Sequence, residues 1–220
     1  MKYNIAIDGP SAAGKSTIAD ILAEKLSFNH LDTGAMYRAV AYKAIKEKIP
    51  FDDEKHIVEM IQNMDLLMNI DGSVILDGED ITGKIRTDEI SMGASDVSKL
   101  NGCRTALVEM QQKICKDGGY ILDGRDIGTV VLKDAPVKIY LVASPEARAQ
   151  RRLLQNQEKG IETDYETILE DIKKRDYQDM HREHSPLKKA EDAVEIDTSD
   201  MSIEEVVCAA MQVIKEKVGE

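Results

Sequence analysis

The hydrophobic positions of this chain fall into short apolar runs separated by longer amphipathic stretches. Five runs have the length and composition of buried strands: residues 4–8, 29–31, 120–122, 137–142 and 193–196. Helical patterns separate most of these runs, as they do between parallel strands joined by helices. The pattern therefore predicts an α/β fold built from parallel strands.

Helix starts in the C-terminal half are marked by capping residues. Ser144 places a hydroxyl before a proline, which is favoured at the first position of a helix. Thr163 with Glu166, and Ser202 with Glu205, have the spacing of capping boxes, in which each side chain bonds a free backbone N–H of the other residue. These residues predict three helix starts.

Residues 65–87 differ in texture from the chain on either side. Short apolar runs alternate there with Asp71-Gly72 and Asp77-Gly78, and such dipeptides are typical of tight hairpin turns. The pattern predicts a small antiparallel sheet inserted between helices. The 220 residues contain no internal repeat, low-complexity tract or linker, so we expect one compact domain that carries this insertion.

The segment after the first strand has the pattern of a phosphate-binding loop. Residues 9–16 match G-x-x-x-x-G-K-[S/T] in full, and they lie between a predicted strand and a predicted helix over residues 16–26, as the motif requires. In such a loop, backbone N–H groups and the helix N-terminus attract a phosphate, and Lys15 adds a charge for the β- and γ-phosphates. Ser16 is placed to ligate Mg²⁺.

A carboxylate at the end of another predicted strand has two possible roles. Asp123 follows the apolar run 120–122, where phosphate-loop enzymes place the aspartate that holds the metal directly or through water. An aspartate there serves equally often as a cap of the following turn. Both roles stay open at this point.

Composition and charge restrict the partners. Hydrophobic residues make up 42% and charged residues 32% of the chain, which is typical of a globular protein. The net charge of −12 repels nucleic acid and anionic lipid surfaces, so an anionic ligand must be small and locally captured. No run is long enough for a membrane span and the N-terminus has no signal-peptide pattern. We expect a cytoplasmic protein with no nucleic-acid or membrane partner.

Cysteine and histidine indicate neither a zinc site nor a nucleophile. The three cysteines are widely spaced and fit no disulfide framework, so we expect them to be reduced and mostly buried. No nucleophile pairs with any of the four histidines, which we expect at the surface or at the edge of a cleft.

Arginine is used sparingly and in clusters, since only nine of the 29 basic residues are arginines. Its planar fork suits phosphate and carboxylate recognition. One cluster, at positions 148, 151 and 152, has the spacing of a single helix face. On the next predicted helix, an apolar stripe continues as charged residues: Ile168, Ile172, Arg175, Asp179 and Arg182.

That stripe indicates either the wall of a cleft or a solvated helix face on which Arg175 and Asp179 form an ion pair. The segment 123–129 favours the cleft, because it leaves a strand end where open α/β sheets bind ligands, and it brings Arg125 and Asp126 beside the phosphate loop. Like charges around one cavity are costly unless an anion fills it. A second phosphate site is the simplest explanation.

Five segments carry a resemblance to a known family: residues 5–16, 31–38, 78–86, 123–130 and 175–187. On these segments, and along nearly its whole length, the chain resembles the bacterial-type cytidylate kinase family of the nucleoside monophosphate kinases. The resemblance implies a P-loop NTPase-like, three-layer αβα core with a five-stranded parallel sheet. It also implies an ATP-binding core over 1–33, 99–147 and 161–220, a monophosphate-binding insertion over 34–98 that contains the small antiparallel sheet, and a helical lid over 148–160.

The resemblance also implies roles for particular residues. The donor ATP is assigned to the phosphate loop and one lid arginine: Gly9, Pro10, Ser11, Ala12, Ala13, Gly14, Lys15, Ser16, Thr17 and Arg148. Ser16 and Asp123 are the metal residues. The acceptor monophosphate is assigned to Arg38, Arg125 and Arg182, the ribose to Arg175 and Asp179, and the cytosine to Ser95, Arg104 and Asp126, with Thr33, Tyr37 and Gly124 completing the pocket. The residues implied in catalysis are Lys15, Arg125, Arg151, Arg152 and Arg182.

The activity implied is transfer of a phosphoryl group from ATP, with Mg²⁺, to CMP or dCMP by a monomeric enzyme. Thr33 stands where the family often has serine, and the hydroxyl is kept. Two alternatives are another small-molecule kinase and a regulator that binds ATP without transferring phosphate. The arginine clusters disfavour the regulator, because ATP binding alone needs no second phosphate pocket.

Overall fold

The computed structural model describes residues 2–158 and 160–219. In chain order the elements are β1 (Ile5–Asp8), α1 (Lys15–Leu26), β2 (Asn29–Asp32), α2 (Thr33–Glu47), α3 (Glu54–Asn63), β3 (Leu66–Met68), β4 (Val74–Leu76), β5 (Glu79–Asp80), α4 (Asp88–Val97), α5 (Asn101–Ile114), β6 (Tyr120–Gly124), β7 (Val137–Val142), α6 (Pro145–Glu158), α7 (Tyr165–His181), β8 (Val194–Asp197) and α8 (Ile203–Val218). A short π-helical segment, Ile127–Val131, follows β6.

The five predicted core strands form one parallel sheet in the order β2-β6-β1-β7-β8. The prediction of parallel strands is therefore confirmed. The connection from β1 leads to one side of the sheet and the connection from β6 to the other, so the carboxyl ends of these central strands leave a crevice between them. In open α/β sheets this crevice is where ligands bind.

Alternation along the central strands explains the three layers. Ile5 and Ile7 of β1 lie with α1 and α8 in one hydrophobic core. Ala6, which points to the opposite face, lies in a second core with α2 and α5. Successive strand residues face opposite sides of a sheet, so both faces of this buried sheet need helices. The αβα architecture is confirmed.

The antiparallel insertion is also confirmed. Strands β3, β4 and β5 pair in that order. Asp77 and Gly78 both have positive φ, at 50° and 80°, as the two central residues of a tight hairpin turn require. Lys46 of α2 forms a salt bridge of 2.6 Å with Glu79 of β5. This salt bridge connects the small sheet to α2.

Helices α6 and α7 form a hairpin with a small apolar cluster of their own, centred on Ala149, Ile168 and Ile172. Most of the lid predicted over 148–160 falls within α6, residue 159 lies outside the described residues, and the division of the lid from the core stays a prediction. Within residues 2–158 and 160–219, no helix combines the length and apolar composition that crossing a membrane requires.

Two of the three predicted caps are confirmed. Helix α6 begins at Pro145, and Ser202 forms a full capping box with Glu205 at the start of α8. The capping box at Thr163 is wrong, because Asp164 is the N-cap of α7 and accepts from two backbone N–H groups. A carboxylate one residue nearer the helix replaces the hydroxyl, and Asn156 donates to the Thr163 hydroxyl instead.

Candidate active site

A cleft lies at the carboxyl ends of the central strands, where the phosphate loop, the turn after β6, and helices α2, α4, α5, α6 and α7 meet. Its lining residues are Ser11, Ala12, Lys15, Ser16, Asp32, Thr33, Gly34, Tyr37, Arg38, Ser91, Ala94, Ser95, Ser98, Arg104, Asp123, Gly124, Arg125, Asp126, Arg152, Arg175, Asp179 and Arg182. Basic side chains outnumber acidic ones by seven to four in this lining. The cleft is therefore locally positive within a strongly acidic chain.

The phosphate loop is held close to the sheet. Gly9 has φ of 151°, and a Cβ at this position would lie 2.1 Å from the Leu141 carbonyl oxygen, so only glycine fits. Lys15 is buried and donates to the Pro10 carbonyl at 2.7 Å. Burial and the nearby Arg125 charge lower the pKa of Lys15 to about 7. An anionic phosphate would favour its charged form.

The two proposed metal residues contact each other. Ser16 donates from Oγ to Asp123 Oδ2 at 2.9 Å. Asp123 is buried, and burial would raise its pKa, but the hydrogen bond and charge of His30 and the charge of Lys15 hold the pKa below its usual range. A hydroxyl and an ionised carboxylate are hard oxygen ligands of the kind that Mg²⁺ prefers.

His30 is a site residue that sequence reasoning missed. Its Nε2 lies 2.9 Å from Asp123 Oδ1 and its Nδ1 lies 2.6 Å from Asp20 Oδ1. Burial alone would lower the pKa of His30, but the two carboxylates raise it to about 9. His30 was expected at the surface or at the edge of a cleft; its side chain is only 11% exposed, and its contact with Asp123 was not foreseen. The one available signal was a polar residue inside a strand next to β6.

The cleft arginines are paired with aspartates. Arg125 donates from Nε to Asp179 at 2.8 Å, and Arg104 donates to Asp126. Asp179 bonds Arg125 from another element rather than Arg175 on its own helix. This arrangement contradicts the alternative of a solvated helix face, because Asp179 is buried and the charged part of the α7 stripe lines the cleft.

The guanidinium groups are only partly satisfied by these aspartates. Within the described chain, buried guanidinium N–H groups without a hydrogen-bond partner are Arg38 Nε, Arg104 Nε, Arg175 Nε and Arg182 Nη2. Burial and the charges of neighbouring arginines lower the pKa of Arg175 to about 10. Unpaired buried donors cost free energy, and an anion in the cleft would remove that cost.

The remaining acceptor residues line the same cleft. Thr33 donates from Oγ1 to the Asp123 carbonyl at 2.7 Å. A Cβ on Gly124 would lie 2.8 Å from that Oγ1, so this close approach requires glycine. The Arg104 guanidinium lies 5.6 Å from the ring centre of Tyr37, in a cation–π contact. Ser95 of α4 also lines the cleft.

The structure brings most of the predicted site residues together. All eleven predicted acceptor residues line the cleft, as do Ser11, Ala12, Lys15, Ser16, Asp123 and Arg152. The lining also includes residues that had no predicted role: Asp32, Gly34, Ser91, Ala94 and Ser98. The other predicted loop residues (Gly9, Pro10, Ala13, Gly14 and Thr17) form the loop and the start of α1 without lining the cleft.

The three arginines of α6 differ in their contacts, and not all of them line the cleft. Arg148 is buried and donates to Asp176, to the Ala143 carbonyl and to the Ser11 carbonyl. Arg151 donates to Thr198, beyond the end of β8. Of these three arginines, Arg152 alone lines the cleft.

A family model described as cytidylate kinase matches residues 5–216. This chain belongs to the cytidylate kinase family. The cytidylate kinase of Caldicellulosiruptor bescii is 54% identical over 94% of this chain and 92% of its own length. The cytidylate kinase of Bacillus subtilis (strain 168) is 49% identical over 98% of both chains. The chain is therefore a kinase.

The fold extends beyond this family. A gluconokinase from Sinorhizobium meliloti 1021 superposes with a TM-score of 0.50 over 98% of this chain and 94% of its own, at 12% sequence identity. At that identity the likeness supports the fold of the kinase and not its acceptor.

Proposed function

We propose that this kinase transfers the γ-phosphoryl group of ATP to the phosphate of CMP or dCMP, giving ADP and CDP or dCDP. The observation that carries the proposal is a complete phosphate loop beside a cleft lined by Arg38, Arg125 and Arg182, where Arg38 Nε and Arg182 Nη2 are buried without a hydrogen-bond partner. ATP bound at the phosphate loop occupies one end of the cleft. At the other end, the arginine side chains can bind the phosphate group of a second substrate.

On the donor side, the phosphate loop N–H groups and Lys15 bind the β- and γ-phosphates. Arg148 supports the loop from behind, because its guanidinium holds the Ser11 carbonyl at 3.1 Å while Asp176 balances its charge. In our proposal the role of Arg148 is therefore to shape the ATP site rather than to touch the transferred group.

Ser16 and Asp123 are the residues that would hold Mg²⁺. When bound, the ion supplies charge stabilisation to the phosphates. Within the described ranges, no three His, Cys, Asp or Glu side chains form a metal site. Few protein ligands suit a Mg²⁺ that is shared with substrate phosphates.

On the acceptor side, Arg38, Arg125 and Arg182 bind the monophosphate. In their present pairs, Asp32 lies 2.7 Å from Arg38, and Asp179 lies 2.8 Å from Arg125. Arg175 and Asp179 bind the sugar. Ser95, Arg104 and Asp126 recognise the donors and acceptors along the cytosine edge.

The chemical step needs no general base, because the acceptor phosphate is already anionic at neutral pH. One of its oxygens forms a bond to the γ-phosphorus while the bond from that phosphorus to the β–γ bridging oxygen breaks, and the electron pair leaves with ADP. Lys15, Arg125, Arg182 and Arg152 stabilise the negative charge of this transition state. Closure of the 148–160 lid over the core and the 34–98 insertion excludes water, which would otherwise take the phosphoryl group.

We also propose that the enzyme works as a monomer in the cytoplasm. Every residue assigned to the two substrates belongs to one chain, so no second copy is needed to complete the cleft.

A steady-state specificity panel tests the acceptor assignment. Transfer from ATP and Mg²⁺ is measured with CMP, dCMP, UMP, AMP, GMP and shikimate under identical conditions. We expect the highest kcat/KM with CMP and dCMP, and none above background with AMP, GMP or shikimate. Preference for another acceptor would contradict the cytosine assignment, and tight ATP binding without transfer to any acceptor would favour a regulator.

A further inference from the structure

Asp8 is the last residue of β1 and directly precedes the phosphate loop. Its side chain is buried at 4% exposure, and its carboxylate accepts two hydrogen bonds of 2.7 Å, from the backbone N–H groups of Ile127 and Gly128. Both partners are backbone donors rather than a cation. A buried carboxylate bonded in this way is costly to keep, so its position requires an explanation.

The two N–H groups begin the π-helical segment Ile127–Val131 that follows β6. At the start of a helical segment the backbone N–H groups have no acceptor within the segment. The Asp8 carboxylate is the acceptor for two of these N–H groups. Gly128 faces this carboxylate closely, since a Cβ there would lie 3.3 Å from Asp8 Oδ2 and 3.1 Å from Lys138 Cδ. The segment is therefore packed against Asp8 of β1 and against Lys138 of β7.

The residues just before this segment are Arg125 and Asp126, which line the acceptor end of the cleft. The carboxylate thus bridges the strand that carries the donor loop and the turn that carries the acceptor groups. A shift of Ile127 away from Asp8 would move both side chains relative to the phosphate loop. Displacement of about 1 Å in a reacting site is costly to transfer.

We infer that Asp8 is a positioning residue that sets the place of Arg125 and Asp126 relative to the phosphate loop, and so controls acceptor binding without touching either substrate. This inference rests on the proposed function of the cleft. Burial also raises the pKa of Asp8 to about 6, which leaves the carboxylate mostly ionised at pH 7.5 and able to accept both bonds.

Asp8→Asn tests the inference with little change in shape. The amide oxygen can accept one N–H, but the NH₂ group faces the other donor. We expect KM for CMP at pH 7.5 to rise about tenfold or more, because one buried donor is left unpaired and the turn shifts. The dissociation constant of the Mg²⁺ complex of ATP, measured in the absence of CMP, should change less than about twofold.

Val206→Ala is the control for a simple loss of stability. Val206 lies in α8, in the core on the other side of the sheet, and is not among the residues that line the cleft. It should lower the melting temperature and leave KM for CMP unchanged. An unchanged KM for CMP in Asp8→Asn, or equal losses of CMP and ATP affinity, would overturn the positioning role.

Two further measurements keep the inference testable if Asp8→Asn does not fold. Gly128→Ala presses on the same contact from the other side and should give the same rise in KM for CMP. In the wild-type protein, the Ile127 and Gly128 amides should exchange with deuterium as slowly as those of the central strands, and rapid exchange would overturn the contact itself. Failure of the wild-type protein to phosphorylate CMP would instead contradict the proposed function.

Discussion

Arg125 and Arg182 reach the acceptor end of the cleft from different segments of the chain, and Asp179 lies close to both. Replacing either arginine by alanine removes a charged donor to the monophosphate. We expect kcat/KM for CMP to fall about 10- to 100-fold or more, since a charge-assisted hydrogen bond contributes about 1.5–3 kcal/mol.

Steady-state kinetics with varied CMP check this prediction. Arg182→Lys should recover only part of the loss, because an ammonium group cannot reproduce the planar fork. Lys189→Ala removes a cation from an exposed pair with Glu195 and serves as the charge-matched control. Unchanged kinetics for both arginine variants would contradict the assignment of the monophosphate site to Arg125 and Arg182.

We expect the ionisation of Asp8 to make the stability of the folded protein depend on pH. Burial raises the pKa of Asp8 from a usual value near 4 to about 6 in the folded protein, although the backbone hydrogen bonds from Gly128 and Ile127 oppose the rise. For an acid whose pKa is raised on folding, the native state binds more protons than the unfolded state. The contribution of Asp8 to the free energy of unfolding is therefore fully present below pH 4 and is lost as the pH rises through 6. The total loss is about 3 kcal/mol.

Urea unfolding of the wild-type protein and Asp8→Asn between pH 4 and 7 measures this contribution. The free energy of unfolding of the wild type minus that of the variant should decrease as the pH rises. A constant difference, or one that increases, would contradict the ionisation of a buried Asp8.

Individual residues were predictable where a motif fixes their chemistry. The phosphate loop has its spacing in consecutive positions, so Lys15 and Ser16 could be assigned from the sequence. The roles of His30 and Asp8 could not, because each depends on a contact with a residue more than 90 positions away. A short stretch of sequence does not indicate which strands are neighbours in the sheet.

Helix α6 shows the same limit at the scale of an element. The spacing of its arginines was correct for a helix, but spacing does not say which acceptors lie nearby. Arg148 donates hydrogen bonds to Asp176, Arg151 donates to Thr198, and Arg152 lines the cleft. The cap of α7 was displaced by one residue for a related reason, since Asp164 offered a stronger acceptor than Thr163.

These contacts predict different consequences for the two neighbouring arginines of α6. Arg152→Ala should lower kcat about tenfold or more with little change in KM for CMP, as expected for a group that acts mainly on the transferred phosphoryl group. Arg151→Ala should affect kcat less and instead change the affinity for ATP, because its partner Thr198 lies near the Ala13 carbonyl of the phosphate loop.

Steady-state kinetics of the two variants, measured side by side with ATP and CMP each varied, check this contrast. Equal losses of kcat would show that Arg151 moves into the cleft when the lid closes. A loss confined to CMP affinity in Arg152→Ala would contradict its role in the transfer step.

Over the whole molecule, the strand and helix order was predictable because each element carries its own periodicity or cap. The insertion was predictable from its turn dipeptides. The acceptor pocket is different, since Arg38, Arg104, Arg125 and Arg182 come from four segments, and charge clustering in the sequence could indicate only that an anion site exists. Their convergence follows from the parallel order of the sheet and from the packing of α5 and α7 around its edge.

Phosphorus NMR of the wild-type protein with ATP, Mg²⁺ and CMP shows whether the cleft transfers a phosphoryl group from one bound phosphate to another. We expect ADP and CDP to appear in equal amounts, with no inorganic phosphate beyond that of a sample without enzyme. Release of inorganic phosphate without CDP, or ATP that stays intact beside CMP, would contradict it.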